Sequence, residues 1–118
     1  MEKERLPKAD TIVAESTPKG TGPISIVRVS GDDTFHLLSA AFGIPPTVDD
    51  KRKLCKLLSD NRLIDEALIQ FYFSPNSYTG ENMAEIGCHG NPIIVRKIIG
   101  VLIKAGARSA KPGEFSFR

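Results

Sequence analysis

Charged side chains inside apolar, strand-like segments are the first places to look for chemistry, because a buried charge needs a partner. Two such residues stand out. Arg28 lies in Ile24–Val29 (ISIVRV), where alternation sets Ile24, Ile26 and Arg28 on one face and Ser25, Val27 and Val29 on the other. Glu85 lies inside Met83–Cys88 (MAEIGC). The ordinary alternatives are a strand glutamate that faces water or pairs with a lysine, and a rim arginine in a cross-strand ion pair. Cys88 and His89 invite a nucleophile–base reading, but strand neighbours do not face each other and the sequence shows no third group to orient the ring. Core cysteine and structural histidine is the plainer reading.

The elements that would position these residues follow from pattern. Asp10–Glu15 (DTIVAE) is rich in strand formers, and Ser16–Pro23 (STPKGTGP) is a Pro/Gly loop. After the strand at 24–29, Ser30 reads as a helix N-cap with Asp32 and Asp33 in the first turn. Phe35, Leu38 and Phe42 then share one face, which makes His36 a surface residue. Gly43 and Pro45-Pro46 stop that helix. Asp49–Lys53 reads as a solvated loop. Leu54–Leu58 and Leu63–Phe73 read as two strands joined by a turn at 59–62.

Ser74–Asn82 is a polar loop between two good strands, a common place for function, and it carries Tyr78 and Thr79. Asn91-Pro92 opens a second helix, with Ile94, Ile98, Leu102 and Ala105 on one side and Arg96, Gly100 and Lys104 on the other. Lys97 and Lys104 are its wet face; a tRNA contact is their alternative. Gly106 ends the helix, a short strand follows at Ala107–Ala110, and the chain then turns away. The predicted class is α+β: a two-layer sandwich, a mostly antiparallel sheet with two amphipathic helices on one face.

Bulk properties narrow the field. The 118 residues, 41% hydrophobic and 25% charged, suit one domain at 10–118 behind a mobile lead-in at 1–9. A net charge of +2 neither demands nor excludes a nucleic-acid partner. Cys55 and Cys88 are far apart and form no CxxC pair, which argues against a zinc site and for a reducing, cytoplasmic setting. The polar start has no signal-peptide core, and the run Ile93–Ala105 is interrupted and too short to span a bilayer, so no membrane role is expected.

Several segments, in order, resemble the amino-terminal domain of the TrmE (MnmE) family of tRNA modification GTPases. They are Asp10–Ser16 with the Pro/Gly loop and Ile24–Gly31; Ser77-Tyr78-Thr79-Gly80-Glu81; Glu85-Ile86 through Cys88-His89-Gly90; Gly106-Ala107-Arg108; and Pro112-Gly113-Glu114-Phe115. The resemblance runs from about residue 10 to the end. Asn91 stands where the family has a second glycine, Asn82 where an acid is common, and Phe117 at a usually polar position.

The resemblance implies a domain that binds 5-formyl-tetrahydrofolate and forms a homodimer. Glu85 is the expected acceptor for the paired N–H groups of a pterin, and Arg28 a donor to a ligand carbonyl or carboxylate. These two must then converge on one hollow. Tyr78 and Thr79 would cover the ligand or the partner subunit, with a plain solvent loop as the alternative. The parent protein would be a GTPase needing GTP, K+ and Mg2+, working on tRNA with a GidA/MnmG-type flavoprotein. The chain itself has no GxxxxGK[ST] phosphate loop, so GTP hydrolysis would belong to a domain beyond Arg118 and the chain is expected to be a fragment. A purely structural dimerisation domain is the competing expectation, and a small hydrolase built on Cys88 and His89 a third.

Overall fold

The computed structural model describes residues 10–16, 23–49 and 51–118. The expected lead-in at 1–9 and most of the expected Pro/Gly loop lie outside the described residues. In chain order the elements are β1 (Ile12–Glu15), β2 (Ile24–Ser30), α1 (Thr34–Phe42), β3 (Lys53–Ser59), β4 (Arg62–Tyr72), β5 (Met83–His89), α2 (Pro92–Ala105), β6 (Arg108–Ser109) and α3 (Glu114–Phe117). The strands form one sheet in the order β3-β4-β5-β2-β1-β6. Every pairing is antiparallel except β1 with β6. The fold is α+β, as expected, with a short third helix where the sequence only suggested a turn.

Alternation decides what each face carries. Val27, Val29, Ile69, Phe71, Ala84, Ile86 and Cys88 point to the side covered by α1 and α2. There they meet Leu37 and Leu38 of α1 and Val95, Ile98 and Leu102 of α2. Each fully buried aliphatic side chain is worth roughly 1.5–3 kcal/mol, so this layer dominates the stability. Phe35 seals one edge against Phe71 and Phe73, with ring centroids 5.5 and 4.8 Å away.

Local chemistry sets the turns. Asp60 and Asn61, between β3 and β4, take φ of 52° and 63°. A two-residue hairpin of this hand needs positive φ at both positions, and Asp and Asn tolerate it better than other non-glycine residues. Asn91 caps α2 by accepting from the Ile93 N–H at 2.8 Å, with Pro92 in the first turn.

The start of α1 differs from expectation. Asp33 is the N-cap residue, without a side-chain bond, and the first turn carries no acidic group. Ser30 belongs to β2, and its hydroxyl is taken by Thr79 (2.7 Å) and Glu81 (2.8 Å). The turn into α1 is instead held by Thr34, whose hydroxyl donates to the carbonyls of Gly31 and Asn82. Gly31 is required there: its φ is +144°, and a Cβ would fall 2.5 Å from Thr11 Oγ1.

Candidate functional site

Neither helix of the core layer covers the other face of the sheet, where the register lines up residues in rows across the strands. Gln70, Glu85, Arg28 and Ala14 are successive cross-strand partners on β4, β5, β2 and β1. The Arg52 Nε donates to Gln70 Oε1 at 3.3 Å and extends the row toward β3. One row over stand Leu54, Leu68, Gly87 and Ile26. The next row contains the pairs Lys56–Glu66 and His89–Ile24. Ile24, Ile26, Arg52, Leu68, Gln70, Glu85 and Gly87 line an open hollow of about 110 Å³.

The structure brings both sequence-predicted residues together. Arg28 and Glu85 face the same side, and Arg28 Nε donates to Glu85 Oε2 at 2.8 Å. The cross-strand ion pair weighed as the alternative for Arg28 is therefore present. Tyr72 donates its hydroxyl to Glu85 Oε1 at 3.1 Å, and burial followed by the Glu85 charge pushes the Tyr72 pKa up. An ionised carboxylate has roughly four acceptor positions, so two such bonds leave capacity for further donors. Glu85 lines the hollow; Arg28 stands beside it, its guanidinium 5.1 Å from the centroid of the Tyr78 ring.

The polar loop at 74–82 is pinned rather than loose. Thr79 is buried against Ser30, and Glu81 accepts from Ser30 and from Arg118 (3.2 Å). Arg118, its side chain 4% exposed, also bonds Glu114 and the Asp10 carbonyl. Arg108 clamps Glu114 from the other side at 2.6 Å. Hydrogen bonds from Arg108 above all hold the Glu114 carboxyl down at about 2. The clamp leaves Tyr78 at the tip, largely exposed, with its hydroxyl 3.3 Å from Ser116.

Cys88 and His89 are separated by the pleat. The Cys88 thiol is buried on the helix side near the Ser25 carbonyl, and burial pushes its pKa up to about 11. The thiol and the ring lie on opposite faces of β5, which tells against a nucleophile–base pair of Cys88 and His89. His89 does have the orienting group that sequence reasoning missed. Asp65, 8% exposed, accepts from the His89 backbone N–H at 2.8 Å and meets Nδ1 at 2.7 Å. Asp65 and His89 sit 24 positions apart, and only the β4–β5 pairing joins them, so no local signal could have revealed the pair.

His36 is exposed on α1, and Arg96, Lys97 and Lys104 are exposed on α2. Among the described residues, no cluster of three or more His, Cys, Asp or Glu could hold a metal. No described helix is long and apolar enough to cross a membrane.

The sequence model for the GTP-binding protein TrmE N-terminus matches residues 11–118. The chain belongs to the TrmE N-terminal family. Proteins named tRNA modification GTPase MnmE are similar to it: that of Thermotoga maritima is 41% identical over 110 residues, covering 92% of this chain and 24% of the relative. Those of Pseudothermotoga lettingae and Francisella philomiragia are 43% and 44% identical over 111 and 115 residues, each covering 92% of this chain. The chain thus spans about a quarter of the length of these MnmE relatives. The TrmE match takes in all the described elements, including the loop at 74–82 and the Arg28–Glu85 pair.

Proposed function

We propose that this chain is the folate-binding, homodimer-forming domain of a tRNA modification GTPase, holding 5-formyl-tetrahydrofolate for wobble-uridine modification of tRNA. When bound, that carrier supplies a one-carbon unit. Glu85 would accept from the paired N–H groups of the pterin, and Leu68, Gly87 and Ile26 would floor the hollow beneath it. Arg28 fixes the carboxylate from the side opposite Gln70, while Tyr72 holds its second oxygen. The observation that carries the reading is a carboxylate with spare acceptor positions set in an apolar hollow, on a sheet face that α1 and α2 do not cover. GTP, K+ and Mg2+ would act on the GTPase part of the parent protein, and a GidA/MnmG-type flavoprotein and tRNA would join the complex through it, in the cytoplasm.

Titration calorimetry of the chain with 5-formyl-tetrahydrofolate tests this. Saturable heat that disappears in Glu85→Ala is the expected result, and a flat trace for the unaltered chain refutes it. A second reading has one observation of its own: Ile24, Leu54 and Leu68 are exposed on the same face, as a purely structural dimerisation domain would need. That reading predicts a dimer by sedimentation together with the flat trace.

A further inference from the structure

The hollow has a second charged wall. Arg52, immediately before β3, lines it opposite Glu85, with Gln70 between them. Its Nε is steered toward the hollow by the neutral Gln70 amide, and among the described residues no ion pair involves Arg52. Of the neighbouring cations, Lys53 pairs with Asp49 at 3.2 Å, and Lys56, four residues along the chain from Arg52 and in register with Glu66, does not line the hollow. Arg28, at the far end of the row, spends its Nε on Glu85. Arg52 is thus a permanently charged fork aimed along a row whose only described carboxylate, Glu85, lies two strands away, about 10 Å at ordinary strand spacing.

The layout is directional: an acceptor for a hydrogen-donating head at Glu85, an apolar floor of Leu68, Gly87 and Ile26, and a carboxylate-matching guanidinium at the β3 edge. A ligand that fits carries a donor-rich ring at one end and an acid at the other, joined by a flat apolar segment. We propose that Arg52 is the anchor for the acidic tail of the ligand, the carboxylates of the glutamyl end if the ligand is a folate. The proposal rests on the folate reading above and adds the direction in which the molecule lies, from β5 across β4 toward β3.

The test compares two probes by calorimetry: 5-formyl-tetrahydrofolate, and 5-formyl-6-methyl-tetrahydropterin, which has the ring and no tail. The unaltered chain binds the tailed compound more tightly, and the difference narrows in high salt, which screens an exposed charge pair. In Arg52→Gln the tailed compound loses about tenfold in affinity, the size of one charge-assisted contact, while the tail-less one is unaffected. Arg52→Lys recovers part of the loss, and Lys56→Gln changes neither. Arg52 is exposed, so thermal melting of its variants should match the parent.

The anchor is refuted if Arg52→Gln keeps the full preference, if it weakens both probes alike, or if Lys56→Gln removes the preference instead. It is equally refuted if the unaltered chain binds both probes alike through Glu85, an outcome that leaves the folate reading standing. Binding of neither probe overturns the folate reading and the anchor together.

Discussion

The two faces of this sheet are built from alternate residues of the same strands, yet they obey different rules. On the helix side, Val27, Ile69, Ala84 and Ile86 are fully or almost fully buried. On the other side, the residues that directly follow them in sequence are Arg28, Gln70, Glu85 and Gly87, partly exposed and lining or flanking a hollow. The first set follows from the hydrophobic effect alone. The second does not: a polar row and a hollow floored by glycine contribute little to folding, because an ion pair at a partly solvated face is worth about 1 kcal/mol. Burial thus accounts for the helix face, and the polar row of the open face is where the folate and dimerisation proposals are to be tested.

Neighbouring residues on β5 give the sharpest contrast. Ile86→Ala, on the helix side, should cost roughly 2–4 kcal/mol in denaturant unfolding, from lost transfer energy and the cavity left behind. Glu85→Ala, one residue earlier, should change stability by less than about 1 kcal/mol while removing ligand binding. A Glu85 variant that unfolds as readily as the Ile86 variant would erase the distinction between the faces.

A smaller effect is expected at the strand end, where Asp65 serves both the backbone and the ring of His89. Burial raises the Asp65 pKa, but the hydrogen bonds from the His89 backbone and ring outweigh it and the net shift is downward. Asp65→Ala leaves the His89 N–H without its acceptor and should lower stability by roughly 1–2 kcal/mol. Equal stability of the variant and the parent in urea would show the pair to be idle.

The clamp around Glu114 should show as the smallest effect, a pH dependence. With the folded carboxyl near 2 against an ordinary value of 4.5, its contribution is fully present above 4.5 and fades as the pH falls toward 2. Solvent screening holds it to on the order of 1 kcal/mol. Glu114→Gln should flatten that part of the acid limb in melting curves recorded between these values, and an unchanged limb would contradict the clamp.

Much of the architecture was legible in the sequence because its causes are local. The Asn91-Pro92 start of α2, the Asp60–Asn61 turn and the alternation of β2 each depend on residues adjacent in the chain. The start of α1 departs from its sequence pattern for the opposite reason: Ser30 looks like a cap, but Thr79 and Glu81, some 50 positions away, claim its hydroxyl. The candidate site divides the same way. Arg28 and Glu85 were visible as charges in apolar strands, whereas Arg52, Gln70 and the Asp65–His89 pair were not, having no unusual neighbours in sequence.

The sequence by itself determined the family, the fold class and which strand residues share a side, because alternation and capping act within a few residues. Only the tertiary structure decided that Glu85 stands between Arg28 and Gln70, that Arg52 closes the row, and that Cys88 and His89 part company. Those outcomes depend on strand order and register, which bring residues from four separate strand regions into one line.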